Sequence, residues 1–319
     1  MKAAIIRAPG QGPAYGDFDE PAPLRGEVRV RVSAAAMSHV VKGHASGMHY
    51  STDGQAFPFI AGIDGTGRLD NGRRVYFIMP RAPFGSMAEK AVVRSQQCIA
   101  LPDNLDDVTA AAIANPGMSS WAAYVERAGL KRGETVLVSG ATGTSGRLAI
   151  QIAKYLGARK VIATGRNPEA LSELKALGAD VVIPLTQDAA ALDEALQAQF
   201  AQGVHVVIDY LWGENAERLL IAAAKANNRM SPIRYVHVGG VSGPVVSLPG
   251  EVLRAIPITL MGSGLGSVVP DRLIRVLRHL FKVTMKAGFR IATTSVPLSQ
   301  VDTAWTLDDS RRRTVFTIG

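Results

Sequence analysis

From residue 134 onward, apolar runs of strand length alternate with segments whose apolar residues recur every three or four positions. "ETVLVSG" reads as a strand, 145 to 156 as a helix, "KVIATG" as a strand, 168 to 177 as a helix and "DVVIPL" as a strand. The alternation continues through a helix near 188 to 200, "VHVVIDY", a helix near 214 to 226, "RYVHVGG" and "PITLMGSG". Short, continuously apolar strands separated by helices mark a parallel sheet buried on both faces. Gly157 and Gly178 follow helical runs, where left-handed C-terminal caps are expected. Six strands wound this way predict an α/β unit with a doubly wound parallel sheet.

The flanking segments follow another rule. "MKAAIIRA", "GEVRVRVSAAA", "GRRVYFIM" and "AEKAVV" are short β-type runs broken by Pro, Gly and Asn, and "EVRVRVS" alternates strictly between apolar and polar. This pattern predicts mostly antiparallel β structure. Near the end, "PDRLIRVLRHLFKVTMKAGF" sets Leu273, Leu277, Leu280 and Thr284 on one helical face, and "TVFTI" closes as a strand. The expected organisation is a β-rich domain, residues 1–116 and 266–319, with a nucleotide-binding domain, residues 117–265, inserted into it.

Composition narrows the class. The 319 residues are 47% hydrophobic and 19% charged, which fits a folded globular chain. The opening "MKAAIIRAPGQG" has too short an apolar stretch for a signal peptide, and no run offers 18 uninterrupted apolar residues. The expectation is a cytoplasmic protein without a membrane partner. Cys98 is the only cysteine, which excludes an intrachain disulfide and a thiolate metal cluster; its setting, "QQCIALPDN", predicts a buried, inert thiol. The net charge of +8 and the pI of about 9.7 raise the question of a nucleic-acid partner. The basic residues are spread along the sequence, and the compact run Arg311 to Arg313 follows Asp308 and Asp309, so nucleic-acid binding is not expected as the main function.

The chemistry concentrates in "LVSGATGTSGRLAI", residues 137 to 150. A Walker loop needs G-x-x-x-x-G-K-[ST], which is not present. None of the seven tyrosines starts the Tyr-x-x-x-Lys pair of short-chain dehydrogenases. The remaining fit is a dinucleotide fingerprint at Ala141, Gly143 and Gly146, with alanine in the place of the first glycine. With Thr142, Thr144 and Ser145 it forms a tight small-residue turn that brings a pyrophosphate to the positive end of a helix. The end of the second strand selects the cofactor. An NAD site carries Asp or Glu there for the ribose 2′-hydroxyl, whereas this sequence offers Gly165, Arg166 and Asn167. A guanidinium suits a 2′-phosphate, which predicts NADPH.

Taken from end to end, the sequence resembles the medium-chain dehydrogenase/reductase superfamily in its zinc-independent quinone oxidoreductase branch. The segments that carry the resemblance include "GEVRVRVSAAA", "FPFIAGIDGTGRL", "GSMAEKAVV", "GETVLVSGATGTSGRLAIQIAKYLGARKVIAT" and "LGADVVIPL". The resemblance implies a GroES-like catalytic domain of mostly antiparallel β structure, into which a doubly wound parallel Rossmann sheet is inserted, with the cofactor held between the two. It also implies homodimers that pair through the last Rossmann strand, near Ile258 to Met261.

Further site residues follow from it. "NPGMSSWAAY" matches a cofactor-contacting stretch and brings in Ser119; "VHVGGVSGP" and "MGSGLGS" match loops at the nicotinamide carboxamide, with Gly239, Gly240 and Ser242 in the first and Gly264 and Leu265 in the second. The substrate side matches "AAAMSHVVKGHASGMHY", where Ser38 stands in place of a frequent Asn and Val41 in place of a frequent Asp. Tyr50 matches a tyrosine near the substrate, and it and Ser38 are the catalytic candidates. Zinc-dependent relatives carry a Cys, a Gly-His-Glu segment and a four-cysteine lobe; here stand Met37 and Ser38, then Gly62-Ile63-Asp64, and no lobe. His39, His44 and His49 recur every five residues, a step that turns successive ligands apart on a helix and to opposite faces of a strand, so no metal site is expected.

The expected activity is hydride transfer from NADPH to a quinone or an α,β-unsaturated carbonyl without a metal. The alternatives are an enoyl-thioester reductase and a weakly catalytic NADPH-binding redox sensor or nucleic-acid-binding protein.

Overall fold

A computed structural model describes residues 1–47, 56–226, 231–307 and 311–319. The chain divides into two compact units, one formed by Met1–Asn115 with Leu277–Gly319 and the other by Pro116–Val276.

The first unit begins with β1 (Lys2–Ile6), β2 (Ala14–Asp17), β3 (Glu27–Ala36), α1 (His39–Ser46), β4 (Phe59–Ile60), β5 (Asp64–Leu69), β6 (Arg74–Ile78), β7 (Lys90–Arg94) and β8 (Cys98–Ala100), followed by the start of α2 (Asp107–Ala122). The alternation of "EVRVRVS" becomes the two faces of β3. Val30 and Val32 are buried with Val75, Phe77, Ala91 and Val93, while Arg31 points to solvent. β3 pairs antiparallel with β5 and β7, as a half-buried alternating strand should.

The second unit holds β9 (Thr135–Ser139), α3 (Thr144–Tyr155), β10 (Lys160–Gly165), α4 (Pro168–Glu173), β11 (Val181–Pro184), α5 (Ala189–Ala201), β12 (Val206–Asp209), α6 (Gly213–Ala226), β13 (Ile233–His237), α7 (Val252–Ala255) and β14 (Ile258–Gly262). Its six strands lie in the order β11-β10-β9-β12-β13-β14, and every pair is parallel. β9 is buried along its whole length, the reason its sequence shows no alternation. The glycines that follow the first two helical runs of the alternation, Gly157 and Gly178, adopt left-handed φ values of 93° and 108°.

α8 (Pro270–Ala287) carries the chain across the unit boundary at Val276, beyond the expected boundary at 265, because Leu273 still packs with Ala122 and Val268. β15 (Thr293–Pro297), α9 (Val301–Ala304) and β16 (Arg313–Thr317) complete the first unit; β16 pairs antiparallel with β3 and parallel with β15. The fold is therefore a doubly wound parallel sheet inserted in a mostly antiparallel β-rich unit. Among the described residues no helix is long and apolar enough to cross a membrane.

Candidate cofactor site

In the second unit the strand order reverses at β9, which has β10 on one side and β12 on the other. Ligands of such sheets bind at the carboxyl ends of the strands beside this reversal. Gly140 leaves β9 at φ 80°, and a Cβ there would lie 2.9 Å from the Leu211 side chain. Ala141 N–H donates to the Thr164 carbonyl at 2.8 Å and ties the loop to β10. A Cβ on Gly165 would reach Thr142 Cγ2 at 2.4 Å, so these two residues are closely packed. Gly143 is the N-cap of α3 and supplies no side-chain bond to the helix, whose N-terminal dipole is left for an anion. At Gly146 a Cβ would lie 2.4 Å from the Gly140 oxygen and 2.5 Å from Ala141 Cα. The loop thus closes tightly on itself at Gly146 and stays open at Gly143.

β10 ends in buried Thr164 and Gly165, followed by exposed Arg166 and Asn167. Asn167 Oδ1 accepts the Ala170 N–H at 3.0 Å and caps α4, with Pro168 in its first turn. Its carbonyl oxygen is committed to the helix, and its amide NH2 remains as a donor. Thr164 Oγ1 and Ser139 Oγ, at the ends of β10 and β9, are buried with no partner among the described residues. Orphaned hydroxyls of this kind call for a ligand or water.

At the other side of the reversal, Asp209 ends β12 fully buried. Its Oδ1 accepts Leu211 N–H at 2.9 Å, and its Oδ2 accepts Trp212 N–H at 3.1 Å and the Tyr235 hydroxyl at 2.8 Å. The loop it shapes is fastened to the one after β13: Ser242 N–H donates to Leu211 O at 2.7 Å, Val241 N–H to Tyr210 O at 3.3 Å, and Gly239 N–H to Asp209 O at 3.2 Å. Asn215 Nδ2 donates to Ser242 Oγ at 3.0 Å. Trp212 holds a positive φ of 56°, a strained conformation for a bulky residue, and its ring lies 4.4 Å from that of His237. Burial lowers the His237 pKa against the raising effect of Asp209, and Nδ1 has no partner among the described residues.

Ser119 and Ser120 lie in α2 just after Pro116, and both hydroxyls donate to the Pro116 carbonyl, at 3.0 and 2.7 Å. The Tyr210 hydroxyl lies 2.7 Å from Ser120 Oγ. Burial raises the Tyr210 pKa far enough to keep the phenol neutral. Gly264 and Leu265 follow β14 in an exposed turn, where Ser267 Oγ accepts Gly264 N–H at 2.7 Å. The fingerprint loop, Gly165 to Asn167, Gly239 to Ser242 and this turn all follow carboxyl ends of one sheet. Ser119 joins them through the helix that also holds Tyr210.

In the first unit, Ser38 is buried at the N-cap of α1, where its Oγ accepts Val41 N–H at 3.1 Å. Tyr50 and His49 lie outside the described residues. His39 is exposed and His44 half-buried, at opposite ends of α1. Asp64 is buried and accepts the Tyr76 hydroxyl at 2.8 Å; burial outweighs Arg313 and Tyr76 and pushes its carboxyl up to about 6. Burial also pushes the Cys98 thiol up to about 11, so it is no thiolate at neutral pH.

Residues 146–282 match the zinc-binding dehydrogenase family. A probable NADPH-dependent quinone reductase of Emericella nidulans is 30% identical over 94% of each chain. A 2-methylene-furan-3-one reductase of Solanum lycopersicum is 34% identical over 51% of this chain and 45% of its own. The structure of the quinone oxidoreductase of Thermus thermophilus superposes with a TM-score of 0.82 at 25% identity, over the full length of both chains. The chain belongs to the medium-chain dehydrogenase/reductase superfamily. Within it, the chain is of the quinone-reductase-like kind.

The dinucleotide cofactor of this superfamily fits the residues present: a helix end without a side-chain cap and an open position at Gly143 lie at the carboxyl edge of the sheet. The zinc ion of its metal-dependent members does not. Where those members carry ligands, Ser38 Oγ is engaged as a helix cap and the Asp64 carboxylate is held by Tyr76. Among the described residues no group of three or more His, Cys, Asp or Glu could hold a metal. Sequence reasoning missed Gly140, Tyr210 and Trp212. Gly140 could have been found, since it opens G-x-x-G-x-x-G with Gly143 and Gly146. Nothing local marks Tyr210, whose partner lies 90 positions away.

Proposed function

We propose that this protein is an NADPH-dependent oxidoreductase that delivers hydride, without a metal, to a quinone or to the β-carbon of an α,β-unsaturated carbonyl. The observation that carries the cofactor choice is exposed Arg166 directly after β10, at the position where an NAD site holds a carboxylate. The names of the Emericella and Thermus relatives support the NADPH and quinone parts, and the tomato relative supports the enone part. When bound, NADPH supplies the hydride.

The chain's own residues bind and orient. The α3 N-terminus, with the backbone from Ala141 to Gly146, takes the pyrophosphate; Arg166 and the Asn167 amide take the 2′-phosphate; Ser119, Gly239, Gly240, Ser242, Gly264 and Leu265 border the nicotinamide end. On the substrate side Ser38 keeps its hydroxyl proton to donate to the acceptor oxygen, since its oxygen already accepts from Val41. Tyr50 is assigned the same role. In this reading residues 117–265 serve the cofactor, and residues 1–116 with 266–319 serve the substrate. The working form is a homodimer joined through β14, in the cytoplasm.

The test is to mix purified protein with NADPH or NADH and a panel of quinones and enones, and to follow oxidation of the cofactor. Turnover with NADPH in preference to NADH is expected. Tight NADPH binding with no oxidation above background for any acceptor would overturn the catalytic reading in favour of a redox sensor. Hydrogen bonds to charged groups contribute about 1.5–3 kcal/mol. Arg166→Asp is therefore expected to raise the NADPH Kd by about one to two powers of ten while NADH changes little, and equal losses for both cofactors would overturn the 2′-phosphate assignment.

A further inference from the structure

α8 gathers charges that the linear sequence disperses. Leu273, Val276, Leu277, Leu280, Phe281 and Thr284 are buried. On the opposite side Arg275, Arg278, Lys282 and Lys286 are exposed and follow one another at steps of three or four residues, so they form one line along the helix. Arg272, at the start of this line, pairs with Glu126 at 3.0 Å. The other four have no carboxylate partner among the described residues, and like charges four apart repel one another. The exposed side of α8 thus carries a line of positive charge about 15–20 Å long, with exposed Asp271 near its start.

We infer that this face docks on an anionic phospholipid surface, with headgroup phosphates as its ligands. The partner is argued from what the face lacks as much as from its charge. A specific protein interface centres on buried apolar or aromatic anchors, and the single large apolar side chain exposed on α8 is Met285, at 50%. Sequence-specific nucleic-acid recognition needs an element that enters a groove or aromatic rings on which bases stack; α8 is packed on its own protein along its apolar side, and its exposed side bears no Phe, Tyr or Trp. A row of cations on a convex helix suits fluid, laterally mobile headgroups, which can move to match it. This surface is independent of the hydride chemistry, so either proposal can fail alone.

The experiment sediments the full-length protein with vesicles of phosphatidylcholine alone and with added phosphatidylglycerol, at low and high salt. Binding to the anionic vesicles only, weakened by salt, is expected. Lys282→Glu combined with Lys286→Glu should lower this binding by about tenfold or more. Because both residues are exposed, the variant should keep the thermal unfolding profile and the NADPH affinity of the parent; if it fails to fold, Arg275→Gln with Arg278→Gln serves the same purpose. Absence of binding to anionic vesicles at low salt, equal binding to neutral ones, or undiminished binding by the folded variant would each overturn the inference. So would a short DNA duplex that outcompetes the vesicles for the parent and not for the variant.

Discussion

At Gly146 a methyl group would sit 2.4 Å from the Gly140 carbonyl oxygen, whereas at Gly143 it would meet nothing nearer than that same oxygen at 3.9 Å. The two glycines of one fingerprint therefore answer different demands, and substitution separates them. Gly146→Ala overpacks the turn and is expected to cost about 1–3 kcal/mol of stability. Gly143→Ala should leave stability within about 1 kcal/mol, since φ there is −75° and the cost is that of a poorer N-cap residue. It should nevertheless weaken NADPH by about tenfold, because the new methyl occupies the side on which the pyrophosphate approaches. Denaturant unfolding and cofactor titration of the two variants check this; equal behaviour would remove the distinction. At this scale the sequence was legible where chemistry is local. Arg166 and Asn167 lie exposed after β10, and Asn167 proved to spend its carbonyl on capping α4. Ser38 was less legible, since its side chain serves a helix start that residue type alone does not announce.

Between β12 and β13 the structure is organised around Asp209, which accepts three hydrogen bonds and thereby sets the loop from Tyr210 to Gly213 against the loop from Gly239 to Gly243. Two of its three partners lie two and three residues ahead, so it orients nearby backbone. Asp209→Asn keeps one acceptor and loses the charge, with an expected cost of about 1.5–3 kcal/mol and a weakened cofactor affinity. Tyr235→Phe, which removes one of the three bonds, should cost less, by urea unfolding. The strands and helices of this unit were legible because a buried parallel sheet writes itself as apolar runs between helical periods. β2, β4 and β15 were not, since they are short or lie at the edges of their sheets and bury few side chains. The contact between Ser120 and Tyr210 could not be read at all, because only the packing of α2 beside β12 creates it.

For the molecule as a whole, the net charge of +8 acquires a geography that spacing along the chain hides. Charges three and four residues apart look scattered in a linear reading and fall in one line once the helical turn is applied. The parallel sheet has another unsatisfied border. β14 ends it with no neighbouring strand among the described residues, and Thr259 in that strand is exposed. The proposed homodimer would pair this edge with its own copy, and a two-fold brings a residue near the axis close to its counterpart. Thr259→Lys should therefore shift the protein toward monomers in sedimentation velocity, with its thermal unfolding little changed at low concentration. A parent protein that is monomeric at every accessible concentration would overturn the dimer.

Trp212 gives these loops an optical handle. It is one of three tryptophans, and its indole stacks on an imidazole at the edge where the cofactor is expected to lie. Its emission should be quenched when His237 takes up a proton. The absorption of a reduced nicotinamide overlaps that emission, so the same ring serves as an energy donor. Occupancy of the site thus becomes measurable in the unlabelled protein.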